Sequence, residues 1–224
     1  MNLIIFGPPG SGKGTQAKKI SKHFTIPHIS TGDMLREEIE EKSSLGKMAS
    51  NFISKGDLVP DALVIKILKK RIEKGDCKSG FILDGFPRNL TQQKVLTSLL
   101  EEMGRPIDRV INLIVSEETI KKRILGRRVC SNCKRNYNIY QPNWNMCTKL
   151  CPICSGELMI RDDDNIETVR NRLNVYRKHT ESSLKPYYKD NLVIEIDGEN
   201  SLDVVFKDIK RILEDIFDKD KISC

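Results

Sequence analysis

The chain has 224 residues, a formal net charge of +7, 38% hydrophobic and 31% charged residues, and only 6% aromatics. That length suits one sizeable core with insertions and falls short of two large domains. The charge balance fits a soluble protein that handles anions. The lack of a basic tail or of interleaved aromatics argues against nucleic acid, and no apolar run approaches the roughly 20 residues of a membrane span.

The apolar run Leu3-Ile4-Ile5-Phe6 is too short for a signal-peptide core and predicts instead a strand, so a cytoplasmic protein is expected. It leads into Gly7-Pro8-Pro9-Gly10-Ser11-Gly12-Lys13-Gly14-Thr15 and a helix over 12–24 that spaces Ala17, Ile20 and Phe24 on one face. Glycines let backbone N–H groups turn inward, and a helix N-terminus with the Lys13 ammonium completes a cradle for a nucleotide polyphosphate. The pattern Gly-x4-Gly-Lys is followed by Gly14, with the hydroxyl delayed to Thr15, which weakens the argument for a hydroxyl directly on Mg²⁺.

A short strand over 26–29 is expected next, closing a first β-α-β unit. Ser30-Thr31-Gly32-Asp33 supplies cap residues for a helix through Ile39, and a second short helix is expected over 45–54. Leu63, Val64, Ile67, Leu68 and Ile72 mark a helix over 61–74. A buried strand over 80–84 follows, then a helix over 89–103, a strand over 110–115 and a helix over 117–125. After a change of composition at 127–164, a long helix over about 166–187, a strand over 192–196 and a helix over 202–217 complete the pattern, with a frayed tail over 218–224. Strands alternating with helices predict a parallel α/β sheet.

Residues 127–164 hold five of the seven cysteines and the only tryptophan, with few aliphatic residues, as expected of a small inserted domain with its own staple. Cys130-x2-Cys133 and Cys151-x2-Cys154 lie seventeen residues apart, the spacing of a four-thiolate structural zinc ribbon with no position open for catalysis. Lys134 and Ser155 follow the knuckles where glycine would ease the turn, and Cys147 is a competing thiol. Without a signal peptide, metal binding is a better reading of these cysteines than disulfides, with iron in place of zinc or ordinary free thiols as the weaker alternatives. Cys77 and Cys224 have no partner by spacing and read as a buried small residue and a tail residue.

Asp84-Gly85-Phe86-Pro87-Arg88 stands at the C-terminal end of a predicted buried strand, where parallel sheets place their ligands, and an acid there can orient Mg²⁺ through its waters. Together with the glycine loop, Ser30-Thr31-Gly32-Asp33 and Arg161-Asp162-Asp163-Asp164, this motif resembles the signatures of the adenylate kinases among the nucleoside monophosphate kinases. The resemblance covers nearly the whole chain, and the cysteine-bearing stretch resembles the long form with a zinc-bound lid. It implies a P-loop nucleoside triphosphate hydrolase-like fold: a five-stranded parallel sheet flanked by helices. The core is expected to comprise 1–29, 60–126 and 165–224, with a monophosphate-binding insertion at 30–59 and the lid at 127–164.

The resemblance implies reversible phosphoryl transfer from MgATP to AMP, and a monomer is the default expectation. The attacking AMP oxygen is already anionic, so no general base is needed, and His23, His28 and His179 share no motif. By motif position Lys13 grips the ATP phosphates with Arg127 beside it, Arg36 and Arg88 hold the AMP phosphate, and Arg161 and Arg172 bridge both nucleotides. Gly10, Ser11, Gly12, Gly14 and Thr15 complete the ATP loop, with Arg123, Asn136, Tyr137 and the Asn200 carbonyl about the donor base. Thr31, Asp57, Leu58, Val59, Gly85, Phe86, Pro87 and Gln92 surround AMP. Asp163 and Asp164 either fasten the closed lid or form a solvated acidic turn. Segments 30–59 and 127–164 are expected to close over the nucleotides, hinged near Gly126 and Asp164.

UMP or CMP as acceptor and GTP as donor are the nearest alternatives. An RNA-binding ribbon would leave the glycine loop unexplained, and a switch GTPase would need an Asn-Lys-x-Asp motif that the chain lacks.

Overall fold

The computed structural model describes residues 1–140, 144 and 149–222. From the N-terminus, β1 (Asn2–Phe6) leads to α1 (Lys13–Phe24), β2 (His28–Ser30), α2 (Thr31–Glu40), α3 (Ser44–Lys55) and α4 (Asp61–Ile72). Next come β3 (Phe81–Asp84), α5 (Leu90–Glu102), β4 (Arg109–Ile114) and α6 (Glu117–Leu125). The strands β5 (Arg127–Cys130), β6 (Asn136–Asn138) and β7 (Leu158–Met159) precede α7 (Ile166–Val175), α8 (Lys185–Lys189), β8 (Val193–Asp197) and α9 (Leu202–Ile222).

Five strands form one parallel sheet in the order β2-β3-β1-β4-β8. Period-two alternation divides their side chains between two apolar layers. Ile4, Phe6, Leu83 and Val110 face Leu68 and Ile72 of α4 and Leu96 and Leu100 of α5. Leu3, Ile5, Ile82 and Ile111 face Ala17 and Ile20 of α1 and Val205, Ile209 and Leu213 of α9. Sheet burial on both faces explains why these strands read as unbroken apolar runs. The register sets Ile5 of β1 beside Asp84 of β3, so the glycine loop and the Asp84 motif emerge together at the C-terminal end of the sheet.

Three features depart from the expected pattern. The unit β1-α1-β2 is parallel, but β3 lies between its two strands, because β2 pairs with β3 alone. The long helix expected over 166–187 keeps a right-handed helical path while its hydrogen bonding changes, from α in α7 to π at Tyr176–Thr180, then 3₁₀ at Glu181–Leu184 and α again in α8. Pro186 at the start of α8 has no N–H to donate and its ring crowds the preceding turn, which accounts for the tight 3₁₀ stretch before it. The expected fraying from 218 is also corrected, since α9 continues to Ile222.

Residues 127–164 carry a separate antiparallel sheet in the order β6-β5-β7. A small cluster of Ile120 and Ile124 from α6 with Val169 and Leu173 from α7 packs the helices on either side of this stretch together. The position of Cys147 and Cys224 lies outside the described residues.

Candidate active site

The glycine loop closes around its own lysine. Lys13 Nζ donates to the carbonyls of Gly7 at 2.6 Å and Pro8 at 2.8 Å, and Ser11 N donates to Pro8 O at 3.1 Å. Gly10 takes φ +82°, and a Cβ there would lie 2.6 Å from Ile124, so glycine is required twice over. At Gly14, where a hydroxyl residue is usual, a Cβ would stand 3.2 Å from Asp84 Oδ2, a tight approach that requires the carboxylate to give way. The N-cap of α1, Gly12, offers no side chain to the first-turn N–H groups, which leaves the helix start suited to an anion.

Beyond the loop opens a cavity of about 770 Å³, large enough for nucleotide phosphates and a base. Its lining includes Gly10, Gly12, Lys13, Gly14 and Thr15 of the loop, together with Arg123, Arg127, Asn136, Tyr137 and Asn200. Arg36, Asp84, Gly85, Phe86, Pro87, Arg88, Arg161 and Arg172 line the same space. A smaller recess of about 60 Å³ continues from it past Thr31, Asp57, Leu58, Val59 and Gln92. Ser11 is buried behind the loop and lines neither space, its Oγ without a hydrogen-bond partner among the described residues.

The cations that converge here come from distant parts of the chain, and each is held by a nearby acceptor. Arg36 Nη2 donates to Asp33 Oδ1 at 2.6 Å, and Arg88 Nε donates to Gly85 O at 2.7 Å. Arg127 makes a forked contact with Asp164, with Nε to Oδ2 at 2.7 Å. Arg172 Nη1 reaches Asp163 Oδ2 at 2.9 Å, and Arg161 Nη2 reaches Asn136 Oδ1 at 3.3 Å. Asp163 and Asp164 are thus buried partners of arginines, which decides against the solvated acidic turn.

Crowding of like charge marks the electrostatics. Burial pushes Lys13 down to about 8, with the Asp84 carboxylate pulling the other way. Burial also lowers Arg88 to about 10, aided by Arg172, and lowers Arg161 to about 10, aided by Arg36. Arg127 is the exception: burial works against its charge, yet the Asp164 carboxylate outweighs it and holds the guanidinium above its ordinary value. Such a site is short of negative charge and gains most from polyanions.

Both ends of the Gln92 amide are held by the protein. Its Oε1 accepts from Arg88 N and its Nε2 donates to Asp61 Oδ1, both at 2.7 Å. Arg123 donates to Ser11 O at 3.2 Å and to Glu199 O at 3.3 Å, tying the glycine loop to the stretch that carries Asn200.

Several supporting residues were missed by sequence reasoning. Asp33 holds Arg36 from three residues away, a helical spacing that was readable. Asp61 orients both Asn89 and Gln92, and Thr180 Oγ1 donates to Arg88 O at 3.0 Å. His28 Nε2 lies 3.4 Å from Asp84 Oδ2, although no motif contains it. Those partners sit far apart in the chain, so only the fold reveals them.

The four cysteines of the two knuckles gather at one point, every pair of sulfurs within 4.8 Å. Cys130 Sγ lies 3.4 Å from Cys154 Sγ, and Cys133 Sγ 3.7 Å from Cys151 Sγ. Tetrahedral thiolates at Zn–S distances of about 2.3 Å stand about 3.8 Å apart, so the donor set and its size fit a closed zinc site. Lys134 and Ser155 adopt φ of 53° and 57°, the left-handed turns at which glycine was missed.

The family model described as adenylate kinase matches residues 5–192. This chain belongs to the adenylate kinase family. Its activity is accordingly that of a nucleotide-binding kinase transferring phosphoryl groups between ATP and AMP. An adenylate kinase of Archaeoglobus fulgidus is 50% identical over 219 residues, covering 96% of this chain and 99% of the relative. Adenylate kinases of Caldanaerobacter subterraneus subsp. tengcongensis and Methanosarcina barkeri are each 46% identical, over 95% and 96% of this chain and 96% and 99% of their own length. No helix among the described residues is long and apolar enough to cross a membrane.

Proposed function

We propose that the large cavity holds MgATP and AMP end to end and carries the γ-phosphoryl group from one to the other, giving two ADP reversibly. The observation that carries this reading is the convergence of Lys13, Arg36, Arg88, Arg127, Arg161 and Arg172 on one space bounded by the glycine loop. Two polyanions repel each other, and cations fixed before they arrive supply alignment and charge neutralisation without reorganisation.

The assignments follow motif position. Lys13 and Arg127 act on the ATP phosphates, Arg36 and Arg88 on the AMP phosphate, and Arg161 and Arg172 on the group in transit. Arg123, Asn136, Tyr137 and the Asn200 stretch border the donor base, while the recess by Thr31, Val59 and Gln92 takes the adenine of AMP. With Asp61 and Arg88 N each taking one site, the Gln92 amide keeps a second N–H and a second lone pair for that base.

Asp84 borders both Lys13 and the cavity, the position from which a carboxylate holds Mg²⁺ through waters. When bound with ATP, the ion neutralises phosphate charge. The four cysteines hold a structural zinc that staples 127–164 in the absence of a large apolar core. The division into a core, a monophosphate-binding segment at 30–59 and a lid at 127–164 is part of the same reading, as are a monomeric state and a cytoplasmic location.

A coupled assay of ADP formation tests it. With ATP as donor, AMP should turn over far faster than CMP, UMP or GMP, and zinc should be present at one equivalent. Faster turnover of UMP or CMP would overturn the acceptor assignment.

A further inference from the structure

Tyr137 occupies the middle of β6, opposite Arg128 of β5. It borders the large cavity, yet its hydroxyl lies 3.0 Å from Cys151 Sγ, one of the four clustered thiols. The residues on either side of it are held toward the site: Asn136 Oδ1 accepts from Arg161 Nη2 at 3.3 Å, and Asn138 Nδ2 donates to the Arg123 backbone carbonyl at 2.8 Å. Cys151 is buried and Tyr137 half-buried, so the hydroxyl-to-sulfur contact is partly withdrawn from water. Groups that donate to a metal's thiolate ligands fix ligand orientation and hold the metal, and losing one typically costs 10 to 100-fold in affinity.

We propose that Tyr137 is a positioning residue that couples the metal centre to the donor-nucleotide side of the cavity, its O–H donating to the Cys151 thiolate. The inference rests on the zinc reading of the cysteine cluster. A residue that both borders the cavity and holds a ligand transmits in both directions: filling the ATP end steadies the metal, and the metal steadies the ATP end by the same factor. A purely structural tyrosine would serve equally well as phenylalanine, because the ring and its packing are retained; the proposal lies in the hydroxyl alone.

The test compares zinc-loaded full-length enzyme with its Tyr137→Phe variant by following zinc release into a chromogenic chelator, with and without saturating ATP. The variant is expected to release zinc about tenfold faster. ATP is expected to slow release several-fold in the original enzyme and much less in the variant, and the ratio of KM for ATP to KM for AMP is expected to rise in the variant. Equal release rates for the two proteins overturn the proposal. So does release from the original enzyme that ATP leaves unchanged, a result that needs no variant to fold. An original enzyme that binds no zinc overturns the zinc reading itself, which separates the two failures.

Discussion

Arg127 and Asp164 join the two ends of the 127–164 stretch through a forked ion pair, with Nε donating to Oδ2 at 2.7 Å. The Asp164 side chain is fully buried, and Arg172 Nη1 stands 3.7 Å from its Oδ1. One carboxylate thus closes the neck of the stretch and aims two cavity arginines. Asp164→Asn should leave Arg127 buried and under-compensated, at a cost of about 3 kcal/mol to local stability. Amide exchange across 127–164 should speed up accordingly while the central sheet stays protected. Unchanged exchange in that stretch would remove Asp164 from the role.

Arg88 has its backbone carbonyl held by Thr180 and its Nε by Gly85 O, so the guanidinium is fixed before any substrate arrives. Arg88→Ala should reduce turnover roughly a thousandfold, by analogy with arginines that act on phosphoryl in transit. Arg88→Lys should recover only part of this, because an ammonium cannot fork across two phosphate oxygens. Near-normal kcat in the alanine variant would contradict the assignment.

The loop lysine makes a pH prediction with a definite sign. Burial has brought Lys13 down to about 8, so the free enzyme loses this ammonium as pH rises through that value. A bound polyphosphate favours the charged form and raises the pKa again. ATP binding should therefore take up protons near pH 8 and weaken above it, with no such uptake from Lys13 well below pH 7. Titration calorimetry in buffers of differing ionisation enthalpy reads this directly. Proton release near pH 8 would contradict it.

Lys134 reaches across from the cysteine knuckle to Glu40 at the end of α2, with Nζ 2.9 Å from Oε1 and 3.1 Å from Oε2. Both side chains are more than half exposed, so the pair is worth at most about 1 kcal/mol and fades with salt. Lys134→Gln and Glu40→Gln should each shift a distance distribution between 30–59 and 127–164 toward separation at low salt. The double variant should shift it no further, and high salt should erase the difference. Additive shifts would mean that the two residues do not act as a pair.

Much of the fold could be read from the sequence because its signals are local. Leu3–Phe6, Phe81–Asp84 and Val110–Ile114 are short apolar runs between turn residues, and Asn89 and Ser116 cap α5 and α6 as their side-chain chemistry requires. The insertion of β3 between β1 and β2 was not readable, since strand pairing is non-local and leaves no spacing to detect. The π turn at Tyr176–Thr180 keeps a helical path and helical spacing, so periodicity alone could not separate it from an α-helix. At the site, the glycine loop, the arginines and the paired cysteines stand in short motifs. Asp61 beneath Gln92, Thr180 behind Arg88 and Tyr137 against Cys151 are contacts across 31, 92 and 14 residues, and none belongs to a motif.

If two nucleotides share one crowded cavity, a bisubstrate inhibitor that joins two adenosines through a phosphate chain should fill it. Calorimetric titration with that inhibitor should show one equivalent bound, displacement by ATP and by AMP alike, and severe weakening in Arg88→Ala. Failure to bind, or competition with only one of the two nucleotides, would contradict it.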